Sequence, residues 1–218
     1  MNVFGLDPEN VAARLRTSPT PPAIPTLAQS LWAGGIGFCF VSVVVFAIWA
    51  YSGKQLSRTL GEPGFFAVCG LAFIGLAGLE LRLLVIGPGA TVRFCGLFAA
   101  GFGAYAVVWC LAWFLVGGKV GEWLGSLMGT VVLALVWTGA FSAAKHLVPV
   151  GAVLFIAHSI GYFAGELLYA SFRGKPGMLL WGAAYGLGFG LGIGYALFAC
   201  QEPIRSGLAG SMRDGART

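Results

Sequence analysis

Ser159, Tyr162, Glu166 and Tyr169 recur at spacings of three, four and three in a long apolar stretch, and His158 adjoins the first of them. On a helix this spacing puts the four on one face, with His158 about 80 degrees to one side of Glu166. An imidazole titrates near neutrality and a carboxyl in low dielectric holds its proton more tightly, so the set has the residue types of a proton or cation path. An ionisable side chain inside a membrane span costs about 2.5 to 3.5 kcal/mol on insertion scales, which makes such residues functional candidates by default. A structural reading stands beside this one. Glu166 lies about one turn inside the end of its segment, where Arg173 or Lys175 can fold back to pair with it, and His158 can serve as an interhelical hydrogen-bonding group.

The elements that must position these residues follow from composition. Of 218 residues, 58% are hydrophobic, 35 are glycine and only 10% are charged, against roughly 25% charged in soluble domains. A soluble globular protein is excluded. The sequence predicts an all-α, polytopic integral membrane protein whose surroundings are a lipid bilayer. Its apolar segments run at about 29–51, 64–86, 94–116, 121–143, 148–170 and 177–200, each near the roughly 20 residues needed to cross a hydrocarbon core. Gly61-Glu62-Pro63-Gly64, Gly87-Pro88-Gly89, Gly117-Gly118, Pro149 and Gly174-Lys175-Pro176-Gly177 fall between them. Six transmembrane helices over 29–200 are therefore expected, with tails at 1–28 and 201–218 and a longest connection of about a dozen residues, leaving no room for a soluble domain. Pro63-Gly64 and Pro176-Gly177 form a short internal echo, too brief to establish a repeat.

In the N-terminal tail, Asp7 reads as an N-cap, Pro8 as the first helical residue and Glu9 as a first-turn acid. A short amphipathic helix over 8–16 follows, either lying on the membrane surface or fraying into solvent. An even number of spans puts both termini on one side. Arg14, Arg16, Arg82, Arg93, Lys145, Arg205, Arg213 and Arg217 share that side, and Lys54, Arg58, Lys119, Arg173 and Lys175 lie opposite. The excess places both termini in the cytoplasm. Glu80 and Arg82, two apart, cannot face each other on a helix, and Glu80 is expected to meet Arg93 across the Gly87-Pro88-Gly89 turn.

The strongest pattern is packing. Gly117, Gly121, Gly125 and Gly129 line one helix face, and Gly182, Gly186, Gly190 and Gly194 line another. Glycines four apart stack into a groove that lets a second backbone approach closely, as a glycine zipper does. Gly188 and Gly192 widen the second groove, and Gly161 and Gly165 form a shorter one. The grooves serve either packing within the chain or contacts in a homo-oligomer or a larger membrane complex.

Other chemistry lacks its residues. Five cysteines without a CxxC pair, together with two histidines, leave no metal site or disulfide framework. His146 and His158 lie at different depths and cannot share a haem. Gly125-Ser126 with His158 has the residue types of an intramembrane serine protease without its oxyanion donors. The scattered basic residues form no nucleic-acid patch despite the net charge of +5. No cofactor and no catalytic residue are assigned. Two functions remain: a channel or transporter for a small solute or ion, using the stripe and the glycine-rich last segment, or a non-catalytic scaffold or accessory subunit of a larger membrane complex.

Overall fold

A computed structural model of the chain describes residues 3–19 and 22–215, so Arg217 of the C-terminal tail lies outside the described residues. Among these the regular structure is helical, with no strand. The helices are α1 (Pro8–Arg16), α2 (Leu27–Ala47), α3 (Gly53–Leu81), α4 (Ala90–Val116), α5 (Gly118–Ala140), α6 (Leu147–Phe172), α7 (Gly174–Cys200) and α8 (Glu202–Gly215). Five helical stretches are long and apolar enough to cross a membrane. The first of these, Leu27–Leu84, is 58 residues long and contains the first two apolar segments of the sequence. Large apolar side chains such as Leu71, Val92, Phe114, Leu115, Ile160 and Leu167 cover the outside of the helices. In water such a surface would be a severe liability; against lipid it is the required one. The chain is a multi-pass helical membrane protein.

Residues 52–63, expected as a connecting loop, are instead mostly helical. α2 passes through one π-helical turn at Ile48–Ser52 directly into α3. Lys54, Gln55, Leu56, Arg58 and Leu60 are good helix formers, so the helix outlasts the apolar run that hydropathy can see. The chain reverses at Gly61 (φ 72°, ψ 171°), and Pro63 starts the next helical stretch, where its fixed φ fits and its missing N–H is not needed. The same backbone geometry recurs at Gly117 (φ 72°, ψ 170°) between α4 and α5 and at Arg173 (φ 44°, ψ 172°) between α6 and α7. Just past the last two turns, Gly121 packs on the backbone of Trp113 and Gly177 on that of Tyr169. Three helical hairpins thus turn in one way, two on glycine and one on a strained arginine.

The six long helices neighbour one another in the order α2, α7, α6, α5, α4, α3 and back to α2. The closed ring is filled with aromatic side chains. The Phe38 ring lies 5.7 Å from Phe73, 6.0 Å from Phe102 and 5.7 Å from Phe189, and Phe98 stacks on Phe102 at 5.3 Å. Trp137 on α5 is fully buried against Phe94 and Phe98.

The glycine rows are seams inside this ring. Along α7, added Cβ atoms at Gly182, Gly186, Gly190 and Gly194 would collide with Phe46, Ser42, Gly34 and Ser30 of α2 respectively. Gly188 and Gly192 on the other side of α7 face Gly161 and Ala157 of α6. On α5, Gly121, Gly125 and Gly129 face Ala112, Trp109 and Tyr105 of α4, while Gly117 forms the turn.

The end of the bundle that carries both termini is closed by α1, α8 and the α3–α4 link. α1 starts at Asp7, whose carboxylate accepts from the Asn10 backbone N–H at 3.1 Å and its side-chain amide at 2.7 Å. Burial opposes ionisation of Asp7, and these hydrogen bonds outweigh it, holding the carboxyl below its ordinary value. Leu6 and Val11 are fully buried, with Val11 against Gly87. α1 therefore docks on the bundle end rather than lying free on a surface or fraying. Gln201, at the α7–α8 junction, donates to the carbonyls of Leu84 and Leu197 and accepts from the Ile86 N–H. The expected Glu80–Arg93 pair is absent among the described ion pairs. Glu80 packs over Gly37 on α2, and Arg93 reaches the carbonyl of Phe4 instead. The segment before α1, placed only by the tertiary fold, supplies the acceptor.

Candidate functional site

At the centre of the ring His158 is fully buried and offers its Nε2 to the hydroxyl of Tyr105, 2.6 Å away on α4. That hydroxyl also meets the hydroxyl of Tyr185 on α7 at 3.3 Å. A neutral imidazole carries one donor and one acceptor, and a hydroxyl does both, so protons along this trio can be arranged in either direction. In both tautomers the second nitrogen, Nδ1, is left without a partner. Ser159 and Ser42 also bury hydroxyls that donate to nothing among the described residues. A buried polar group without a partner costs about 1 to 3 kcal/mol, more where no water can reach it.

Tyr162, one turn along α6, stacks on the His158 ring at 5.9 Å and an interplanar angle of 9°. Trp109 of α4 and Trp181 of α7 flank it at 5.7 and 5.8 Å. A further turn along, Glu166 is paired with Lys119 of α5, which also bonds Glu122 at 2.9 Å. The partner of Glu166 is thus Lys119, not Arg173 or Lys175. The Lys175 ammonium lies 4.4 Å from the ring centre of Tyr51 instead. Tyr169 is partly exposed, packs beside Trp181 at 5.6 Å and covers Gly177.

Of the stripe read from the sequence, His158, Tyr162 and Glu166 form one line from the bundle centre to its rim, Ser159 is buried without a partner, and Tyr169 belongs to the rim. Tyr105, Tyr185, Lys119 and Glu122 complete the arrangement and were not singled out by the sequence. Their only signal is local: Tyr105 and Tyr185 each carry a hydroxyl in an apolar run, and Glu122 is a carboxylate inside a span. Ser126 donates to the carbonyl of Glu122 at 2.8 Å, while His158 is engaged by Tyr105, so no serine–histidine pair forms. Among the described residues no group of three or more His, Cys, Asp or Glu side chains is placed to hold a metal ion.

No protein-family model matches this chain, and neither does any curated protein or solved structure. The functional reading therefore rests on the site itself.

Proposed function

We propose that this protein is a six-span transporter or channel for protons or another small solute, with both termini in the cytoplasm. The path runs from the Lys119, Glu122 and Glu166 rim through Tyr162 to the His158, Tyr105 and Tyr185 centre. One observation carries the reading: a fully buried histidine is bonded to a tyrosine of another helix and keeps a ring nitrogen unpartnered at membrane depth. Ionisable groups there are costly, and proton relays are among their established uses. At the rim the path opens on the partly exposed Glu166 carboxylate. The glycine rows act as zippers that hold α7 between α2 and α6, so the relay residues keep their register.

The test is proton uptake into sealed vesicles containing the purified protein and an internal pH-sensitive dye. Wild-type protein is expected to carry flux above empty vesicles, and Glu166→Gln, His158→Ala and Tyr105→Phe are expected to lower it at least tenfold with the fold retained. Flux equal to that of empty vesicles, or variants as active as wild type, would overturn the reading. The dense aromatic filling of the ring favours a second reading, in which the chain is a rigid scaffold or accessory subunit of a larger membrane complex.

A further inference from the structure

At the end of the bundle that carries both termini, two guanidinium groups converge on one short stretch of backbone. Arg14 of α1 donates to the carbonyl of Gly5 at 2.7 Å, and Arg93 of α4 approaches the carbonyl of Phe4 at 3.4 Å. Gly5 has φ +58°, and the point a Cβ would occupy there is 2.8 Å from one terminal nitrogen of Arg93 and 3.6 Å from one of Arg14. The two cations therefore face each other across a glycine with no side chain between them. No carboxylate forms an ion pair with either arginine among the described residues, and Asp7, whose charge acts on Arg14, accepts its hydrogen bonds from Asn10. The Nε of Arg14 is buried without a partner. Burial, and then the facing charge of Arg93, hold the Arg14 guanidinium below its ordinary value, with Asp7 opposing.

The start of α4 adds to this field. Its N-cap is Gly89 in a left-handed conformation, which offers no side-chain cap, and its first turn has no acidic residue. The uncapped first-turn N–H groups and the positive end of the helix dipole therefore lie one turn from the backbone of Arg93, with no acidic residue in that turn. Like charges this close raise the energy of the fold unless an anion bridges them, and a guanidinium fork matches a phosphate with two parallel hydrogen bonds. The site lies where apolar α4 begins, which is where the phosphates of a bilayer lie.

We propose that Arg14, Arg93 and the first turn of α4 form a binding site for a phosphate group, and that the headgroup of an anionic lipid is what fills it. The inference does not depend on the proton path. It implies that α1 is clamped to the bundle by lipid, because the two arginines that hold residues 4 and 5 are those that would bind the phosphate.

The experiment is the thermal unfolding midpoint of the full chain in a mild uncharged detergent, titrated with phosphatidylglycerol, phosphatidylcholine or inorganic phosphate. Phosphatidylglycerol is expected to raise the midpoint saturably, and phosphatidylcholine is not. Competition by inorganic phosphate would show that the phosphate itself is recognised, and absence of competition would place the requirement on the intact lipid; each supports a phosphate-bearing ligand. Replacing both arginines (Arg14→Gln with Arg93→Gln) is expected to weaken phosphatidylglycerol binding about tenfold or more, from the loss of charge-assisted hydrogen bonds. Arg16→Gln, on the exposed end of α1, is expected to leave it unchanged. If the double variant does not fold, Arg93→Gln alone serves, because that side chain is exposed. Equal shifts with both lipids, or wild-type affinity in a folded Arg93→Gln variant, would overturn the proposal.

Discussion

Glu202 shows how a single side chain can tie the bundle end together. Its carboxylate sits 2.6 Å from the Lys145 ammonium and 3.5 Å from His146, so the first residue of α8 is joined to the α5–α6 link. The Lys145 ammonium, followed by a hydrogen bond from Ser206, lowers its pKa from 4.5 to about 2. A depressed carboxylate pKa contributes stability that is complete above the unfolded value and disappears as pH falls through the folded one. Unfolding midpoints measured in a pH series should therefore show a loss between pH 4.5 and about 2 that Glu202→Gln removes. The effect should be small, because Lys145 is largely exposed and such pairs contribute about 1 kcal/mol or less. An unchanged acid profile in Glu202→Gln would show that the pair does not form. The candidate relay was partly legible at this scale. The spacing of Ser159, Tyr162, Glu166 and Tyr169 put these four on one helix face with His158 to one side, but Tyr105 and Tyr185 lie 53 residues before and 27 after His158, and no local pattern links them.

Among the helices, the glycines divide by what lies opposite. An added methyl at Gly190 would strike the carbonyl of Gly34 and come within 2.8 Å of the Phe38 Cβ, whereas Gly70 on α3 has nothing within 4 Å. Overpacking of a tight core costs about 1 to 3 kcal/mol. A helical glycine with open space beside it, changed to alanine, should instead stabilise by up to about 1 kcal/mol. Thermal unfolding should thus place Gly190→Ala below wild type and Gly70→Ala level with it or above; equal midpoints would mean the α2–α7 seam is looser than described. Spacing of four predicted that these rows pack, because a groove of missing side chains is a local property. Which helix fills the groove was open in the sequence, and Gly182 to Gly194 meet a helix more than 130 residues away. The π turn at Ile48–Ser52 and the continuation to Gly61 were not legible from hydropathy, because a helix that emerges from lipid keeps its backbone hydrogen bonds while its side chains become polar.

For the whole molecule, the ring uses both sides of α7 internally, against α2 and α6. The α7 glycine faces are thus occupied within the chain, and Gly190→Leu should unfold it rather than release a smaller folded particle. Native mass spectrometry of the particle extracted in mild detergent from its own membrane reads both points. Under the transport proposal the wild-type particle is expected to contain this chain alone, in one or more copies, and Gly190→Leu is expected to yield no folded particle. Stoichiometric foreign polypeptides would favour the accessory-subunit reading. A folded Gly190→Leu monomer from an oligomeric wild type would show that α7 mediates assembly.

The class of the protein, the breaks at Gly61 and Gly117, the start of α1 at Asp7 and the existence of glycine grooves were legible in the sequence alone. Each depends on composition or on residues within one or two helical turns, and in lipid the backbone must satisfy its own hydrogen bonds, which leaves a helix little alternative. Only the tertiary structure decided which helices are neighbours, that Lys119 rather than Arg173 or Lys175 pairs with Glu166, that Arg93 turns from Glu80 to the carbonyl of Phe4, and that α1 closes the bundle end. Charged and polar side chains take whichever partner the packing brings closest. In a chain with only eight acidic residues, that partner is set by the juxtaposition of helices far apart in sequence.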